Sequence, residues 1–68
     1  MRTEKMKILR INHHMTQSDV AEKIGISLSE YNLIENGKRV GTIKTWVKIQ
    51  KLFSLSDKEM LSLMKDEK

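Results

Sequence analysis

Residues 16–39 read TQSDVAEKIGISLSEYNLIENGKR, and the fold turns on this stretch. The Thr16 hydroxyl can cap a helix, and Asp19 three residues on makes a variant of the capping box, with Asp in place of Glu or Gln. Val20, Ala21 and Ile24 recur at helical spacing, so a helix is expected over Gln17–Ile24 with that stripe buried. Gly25 follows where a helix ends in a left-handed residue, a conformation glycine adopts without steric penalty. Ile26 plugs the turn. Ser27 and Glu30 form a full capping box for the next helix, Leu28–Asn36, whose inward residues are Tyr31 and Ile34 and whose end is Asn36-Gly37.

Outward from this pair, Met6, Leu9 and Met15 mark a first helix over Thr3–His13, with Ile8 and Ile11 broadening its apolar side. Thr42 caps a fourth helix to Phe53 that carries Trp46, Ile49, Leu52 and Phe53 inward, with Ile43 at its start. Ser56 and Glu59 repeat the capping-box spacing before a fifth, Asp57–Lys65. No repeat, linker or credible strand appears, so an all-α, compact five-helix bundle is expected, one domain over residues 1–68. Helices crossing steeply over a short turn need a small side chain where their axes approach, and Ala21 supplies it. The spacing over residues 17–36 is that of a helix-turn-helix.

At 68 residues the chain is near the lower limit for a single hydrophobic core without staples, and it has no cysteine for a disulfide or thiolate metal site. No apolar run approaches the roughly 20 residues that span a bilayer, and Arg2, Glu4, Lys5, Lys7 and Arg10 interrupt any leader-like segment. A soluble, unexported, cytoplasmic and nucleoid-associated protein is expected. Thirteen Lys and Arg against nine Asp and Glu give a net charge of +4, which favours a polyanionic partner. Between Asn36 and Leu52 stand Lys38, Arg39, Lys44, Lys48 and Lys51 with no acid, whereas the tail from Asp57 is slightly acidic. A solvated helix face explains such a run equally well.

The chain resembles the Cro and phage-repressor-like (XRE family) helix-turn-helix DNA-binding domains, whose fold is called lambda-repressor-like. The resemblance rests on Leu9-Arg10, Met15-Thr16-Gln17, Ala21, Gly25-Ile26-Ser27, Ile34-Glu35-Asn36-Gly37-Lys38-Arg39, Thr45, Lys48-Ile49 and Phe53. It implies a third helix in the major groove and a phosphate facing the start of the second, where Gln17 stands. It also places Asn36, Lys38, Arg39 and Lys44 beside the sugar-phosphate chain, and pairs Arg10 with Glu35 as an ion pair between the first and third helices. Gly41 stands where the family often has proline, which implies a looser loop.

With Tyr31 and Ile34 buried, helical geometry leaves Leu28, Ser29, Glu30, Asn32 and Leu33 outward. Asn32 and Ser29 can exchange hydrogen bonds with base edges, and Asn suits adenine. Glu30 is better explained as the capping partner of Ser27. Leu28 and Leu33 depart from the family's usual polar residues; they fit thymine methyl groups, or else an apolar patch for a protein partner.

His13 and His14 point in different directions on a helix, and no further His or Cys completes a metal site. No defensible catalytic triad or Gly-rich phosphate loop occurs, and the acids Asp57, Glu59, Asp66 and Glu67 read as solvated. An enzyme is therefore not expected, and no cofactor or small ligand is implied. Met60, Leu61, Leu63 and Met64 cover more than one face of the fifth helix; some pack on Trp46 and Phe53, and the remainder suit a homodimer contact or fill gaps in the core. The expected function is a transcriptional regulator, a phage or mobile-element repressor or Cro-like protein that binds an inverted-repeat operator in double-stranded DNA as a dimer. The rivals are a protein-interaction module of antitoxin or antirepressor type and an RNA binder.

Overall fold

In the computed structural model, which describes residues 4–65, polar caps and glycine turns divide the chain into five helices. They are α1 Lys5–Asn12, α2 Gln17–Ile24, α3 Leu28–Glu35, α4 Ile43–Phe53 and α5 Asp57–Met64, with no strand among the described residues. The second and fourth begin and end where the sequence predicts, while α3 and α5 each stop one residue short and α1 is shorter at both ends. Thr3, Asp66 and Glu67 lie outside the described residues.

Helices of eight residues are too short to be stable alone in water. Their ends and their packing must hold them. The hydroxyls of Thr16, Ser27, Thr42 and Ser56 each accept the amide three residues on, worth about 1 kcal/mol apiece. At Thr16 and Ser56 the box closes, since Asp19 and Glu59 accept the cap's own amide in return. At Ser27 only the first half forms, because the Glu30 carboxylate leans instead toward the Arg39 guanidinium, 3.8 Å away.

Nine apolar side chains form the core: Met6, Val20, Ala21, Ile24, Tyr31, Ile34, Trp46, Ile49 and Phe53. Leu52, Met60, Leu63 and Met64 pack around it as partly buried neighbours, and Leu61 stays exposed. Three predicted contributors do not enter: Ile8, Ile11 and Ile43 are 53%, 51% and 65% exposed. At about 100° per residue, Ile8 and Ile11 lie roughly 200° and 140° around α1 from buried Met6, while Arg10 lies only about 40° away. The inward arc of α1 is thus shared with a charged residue. Ile43 sits at the first position of α4, outside the stripe set by Trp46, Ile49 and Phe53.

The loop before α4 is held tightly rather than loosely. The Trp46 indole N–H donates to the Val40 carbonyl. Gly41 has φ +87°, which proline cannot adopt, and a Cβ there would lie 3.1 Å from Ile34 Cδ1. Glycine is what lets this backbone close over the core. At the opposite side Lys5 Nζ donates to Ser62 Oγ at 2.7 Å, tying α1 to α5. No helix among the described residues is long and apolar enough to cross a membrane.

Candidate nucleic-acid interface

The turn between α2 and α3 fixes which face of α3 meets solvent. Gly25 adopts φ 75°, ψ 32°. Its amide bonds the Glu22 carbonyl at 3.3 Å and the Ile26 amide reaches the Ala21 carbonyl at 3.0 Å, which closes the end of α2 in a Schellman motif. Ile26 is thereby turned against the core, and Ser27 starts α3 at once. Tyr31, Ile34 and Glu35 face inward. Leu28 is 49% exposed, Ser29 is exposed, and Asn32 and Leu33 are half-buried.

Those four residues and Gln17 of α2 line one shallow open cleft. The structure thus brings the four candidate base readers together with the residue expected beside a phosphate. Next to them the chain leaving α3 folds back: the amides of Lys38 and Arg39 both donate to the Leu33 carbonyl, at 2.9 and 3.2 Å. That holds the two basic residues against the end of α3. Asn36 is exposed at the end of α3; Lys44 is exposed in the first turn of α4 and is not part of the cleft.

Beneath the cleft lies a buried charge. Glu35 and Arg10 are only 3% and 11% exposed at their side chains, and Arg10 Nε stands 2.7 Å from Glu35 Oε1, so the expected ion pair is present. A lone pair of charges seldom repays its own desolvation, and the remaining lone pairs need donors. Tyr31 Oη donates to Oε1 at 3.0 Å and Gln17 Nε2 to Oε2 at 2.6 Å, while Arg10 Nη1 also donates to the Met15 carbonyl at 2.8 Å. Burial pushes the Glu35 carboxyl up, but the hydrogen bonds from Arg10, Gln17 and Tyr31 outweigh it and hold the group below the usual carboxylate range. Burial and the Glu35 charge push the Tyr31 phenol well above its ordinary value, so it stays a donor.

From Gln17 the hydrogen bonds continue outward. Asn32 Nδ2 donates to Gln17 Oε1 at 3.2 Å, and Asn36 Nδ2 to Asn32 Oδ1 at 3.1 Å. From the sequence Tyr31 reads only as an inward apolar residue, and Gln17 as a side-chain amide able to touch the recognition helix, with no partner fixed for it there. The signal available was spacing: Tyr31 with Glu35 and Asn32 with Asn36 each stand four apart on one helix.

Residues 6–60 match the helix-turn-helix family model, a span that includes the whole cleft and the Arg10, Tyr31 and Glu35 cluster beneath it. The chain belongs to the helix-turn-helix family. Over 63 residues it is 35% identical to an uncharacterised HTH-type transcriptional regulator of Methanocaldococcus jannaschii, covering 93% of this chain and 96% of that protein. No solved structure matches it. The family is one of DNA-binding regulators of transcription.

Proposed function

We propose that this helix-turn-helix protein regulates transcription by binding double-stranded DNA, with the outer face of α3 in the major groove. The observation that carries the reading is the cleft itself: Ser29, Asn32, Leu28 and Leu33 open to solvent on a helix held from below, beside Lys38 and Arg39. Ser29 and Asn32 supply donors and acceptors for base edges; Leu28 and Leu33 supply apolar contact for thymine methyls. Gln17, Asn36, Lys38, Arg39 and Lys44 take the phosphates, and Arg39 has the planar fork for a bidentate contact. The whole of residues 1–68 acts as one domain.

The protein binds as a homodimer on an inverted repeat, its half-sites about one helical turn, ~34 Å, apart. Apolar Leu61 on α5, 47% exposed, offers a contact for the second copy. A repressor or Cro-like action by occupancy of an operator follows, in a phage or mobile-element setting and in the cytoplasm. Binding, not catalysis, is the proposed activity, and no cofactor takes part. The test is titration of the protein onto pooled random duplex DNA at rising salt. Retained duplexes sharing a palindrome, with affinity falling steeply as salt rises, support the reading; equal retention of every duplex overturns it.

One observation favours a second reading: Leu28 leaves half of a large apolar side chain in water, as a protein-docking residue would. Lys38→Glu with Arg39→Glu separates the two, since it abolishes DNA binding and spares a leucine-mediated contact. RNA binding is disfavoured because all three aromatics, Tyr31, Trp46 and Phe53, are buried and leave no stacking platform.

A further inference from the structure

The chain of amides running from Glu35 to the surface has a direction. A side-chain amide in water turns either way round, with nearly the same shape in both orientations. Here the innermost member has no choice. The ionised Glu35 carboxylate only accepts, so Gln17 must present Nε2 to Oε2, and the 2.6 Å separation is that of a charge-assisted bond. Turned over, its carbonyl would face the carboxylate at the same distance. With Nε2 committed, Gln17 Oε1 faces outward and asks for a donor, which Asn32 Nδ2 supplies. The Asn32 Oδ1 then receives Asn36 Nδ2. Each amide is oriented by the one beneath it, and the series runs from buried Glu35 through half-buried Gln17 and Asn32 to exposed Asn36.

We infer that Glu35 acts through Gln17 as a positioning residue for base recognition, fixing which way round the Asn32 amide faces the groove and so committing that residue to adenine. This rests on the proposal that the cleft reads duplex DNA. After the two internal bonds, Asn32 keeps one N–H and one carbonyl lone pair. The major-groove edge of adenine offers their complements, an acceptor at N7 and a donor at N6, whereas guanine presents two acceptors and would leave the Asn32 oxygen facing another oxygen. An Asn free to turn over would pay an ordering cost on every encounter; one already oriented does not. Arg10 and Tyr31 serve the same end by keeping Glu35 ionised and in place.

The test uses the full chain and two variants, Gln17→Met and Glu35→Gln. The first keeps side-chain length and cuts the relay in its middle; the second keeps shape and removes its direction at the root. In the free protein, NMR relaxation of the Asn32 side-chain NH2 group is expected to change from ordered in the wild type to mobile in Gln17→Met. On DNA, the preference for adenine over guanine at the base pair touched by Asn32 is expected to fall about tenfold in both variants. If Gln17 served only as a phosphate contact, Gln17→Met would weaken all duplexes alike and leave base preference intact, and that result overturns the inference. An Asn32 amide as ordered in Gln17→Met as in the wild type overturns it as well. Should Glu35→Gln fail to fold, Gln17→Met decides alone. A wild type that binds no duplex refutes the proposed function instead, whatever the NMR result.

Discussion

Replacing Arg10 with methionine removes one half of the buried ion pair and keeps the aliphatic bulk. The consequences follow from what remains around Glu35. Its carboxylate is 3% exposed and loses the Arg10 guanidinium, while the neutral donors Tyr31 and Gln17 still reach it. Stranding a buried charge in this way costs about 3–5 kcal/mol, as much as the entire stability that a core of this size commonly supplies. The Arg10→Met protein is therefore expected to be largely unfolded at neutral pH and 25 °C. The dependence on pH carries the sharper test. In the wild type the folded pKa of Glu35 is depressed, so its contribution is complete above the unfolded value of about 4.3 and is lost as pH falls through the folded value. In the variant, burial dominates and the folded pKa rises above the unfolded one, so the penalty applies above about pH 4.3 and is relieved below it by protonation. Urea melts followed by circular dichroism from pH 3.5 to 7.5 should find the wild type gaining stability with pH and the variant losing it. Adding Glu35→Gln to Arg10→Met should restore part of the loss. A gap between wild type and Arg10→Met that stays constant with pH, or an unchanged melting midpoint, would refute the reasoning.

Further outcomes are expected elsewhere. His14 closes α1 in the left-handed region, at φ 57°, with its amide on the Ile11 carbonyl and the Met15 amide on the Arg10 carbonyl; His14→Gly should stabilise the fold by about 1 kcal/mol in thermal melts, by relieving Cβ strain. Gly41→Ala should lower the melting midpoint, because the new Cβ meets Ile34 at 3.1 Å at a φ that L residues avoid, and Gly41→Pro should lower it more, since proline cannot adopt that φ. Lys38→Glu with Arg39→Glu should leave the melting midpoint nearly unchanged and abolish duplex retention on a filter. If a dimer neutralises phosphates with Lys38, Arg39 and Lys44 of each copy, the log–log salt slope of binding is about −5, and Lys44→Ala in both copies should reduce it by about 2.

How legible this was depends on where each instruction sits in the chain. The ends of α2 and the start of α3 were readable because caps and Gly25 act within a few residues. The placement of Tyr31 and Ile34 followed from helical spacing, and with it the four outward residues of α3 that share the cleft with Gln17. Ile8 and Ile11 misled because α1 has enough apolar residues for two faces, and the choice between them is made by Glu35, 25 positions from Arg10. Gly41 misled by its supposed freedom, since the close approach of Ile34 and Trp46 exists only once α3 and α4 are packed. The reach of Gln17 to the third helix was legible, but its partners in the amide relay were hidden for the same reason: Gln17 and Asn32 meet only through the crossing of α2 and α3.

The central claim is that the outer face of α3 chooses among duplex sequences. It is tested most directly by selecting bound fragments from random duplex DNA with the wild type and with Ser29→Ala/Asn32→Ala, at one fixed, modest ionic strength. The account predicts a shared inverted-repeat motif for the wild type and a motif altered at the base pairs those two residues touch for the variant. Identical motifs from the two proteins, or no enriched motif from the wild type, would contradict it.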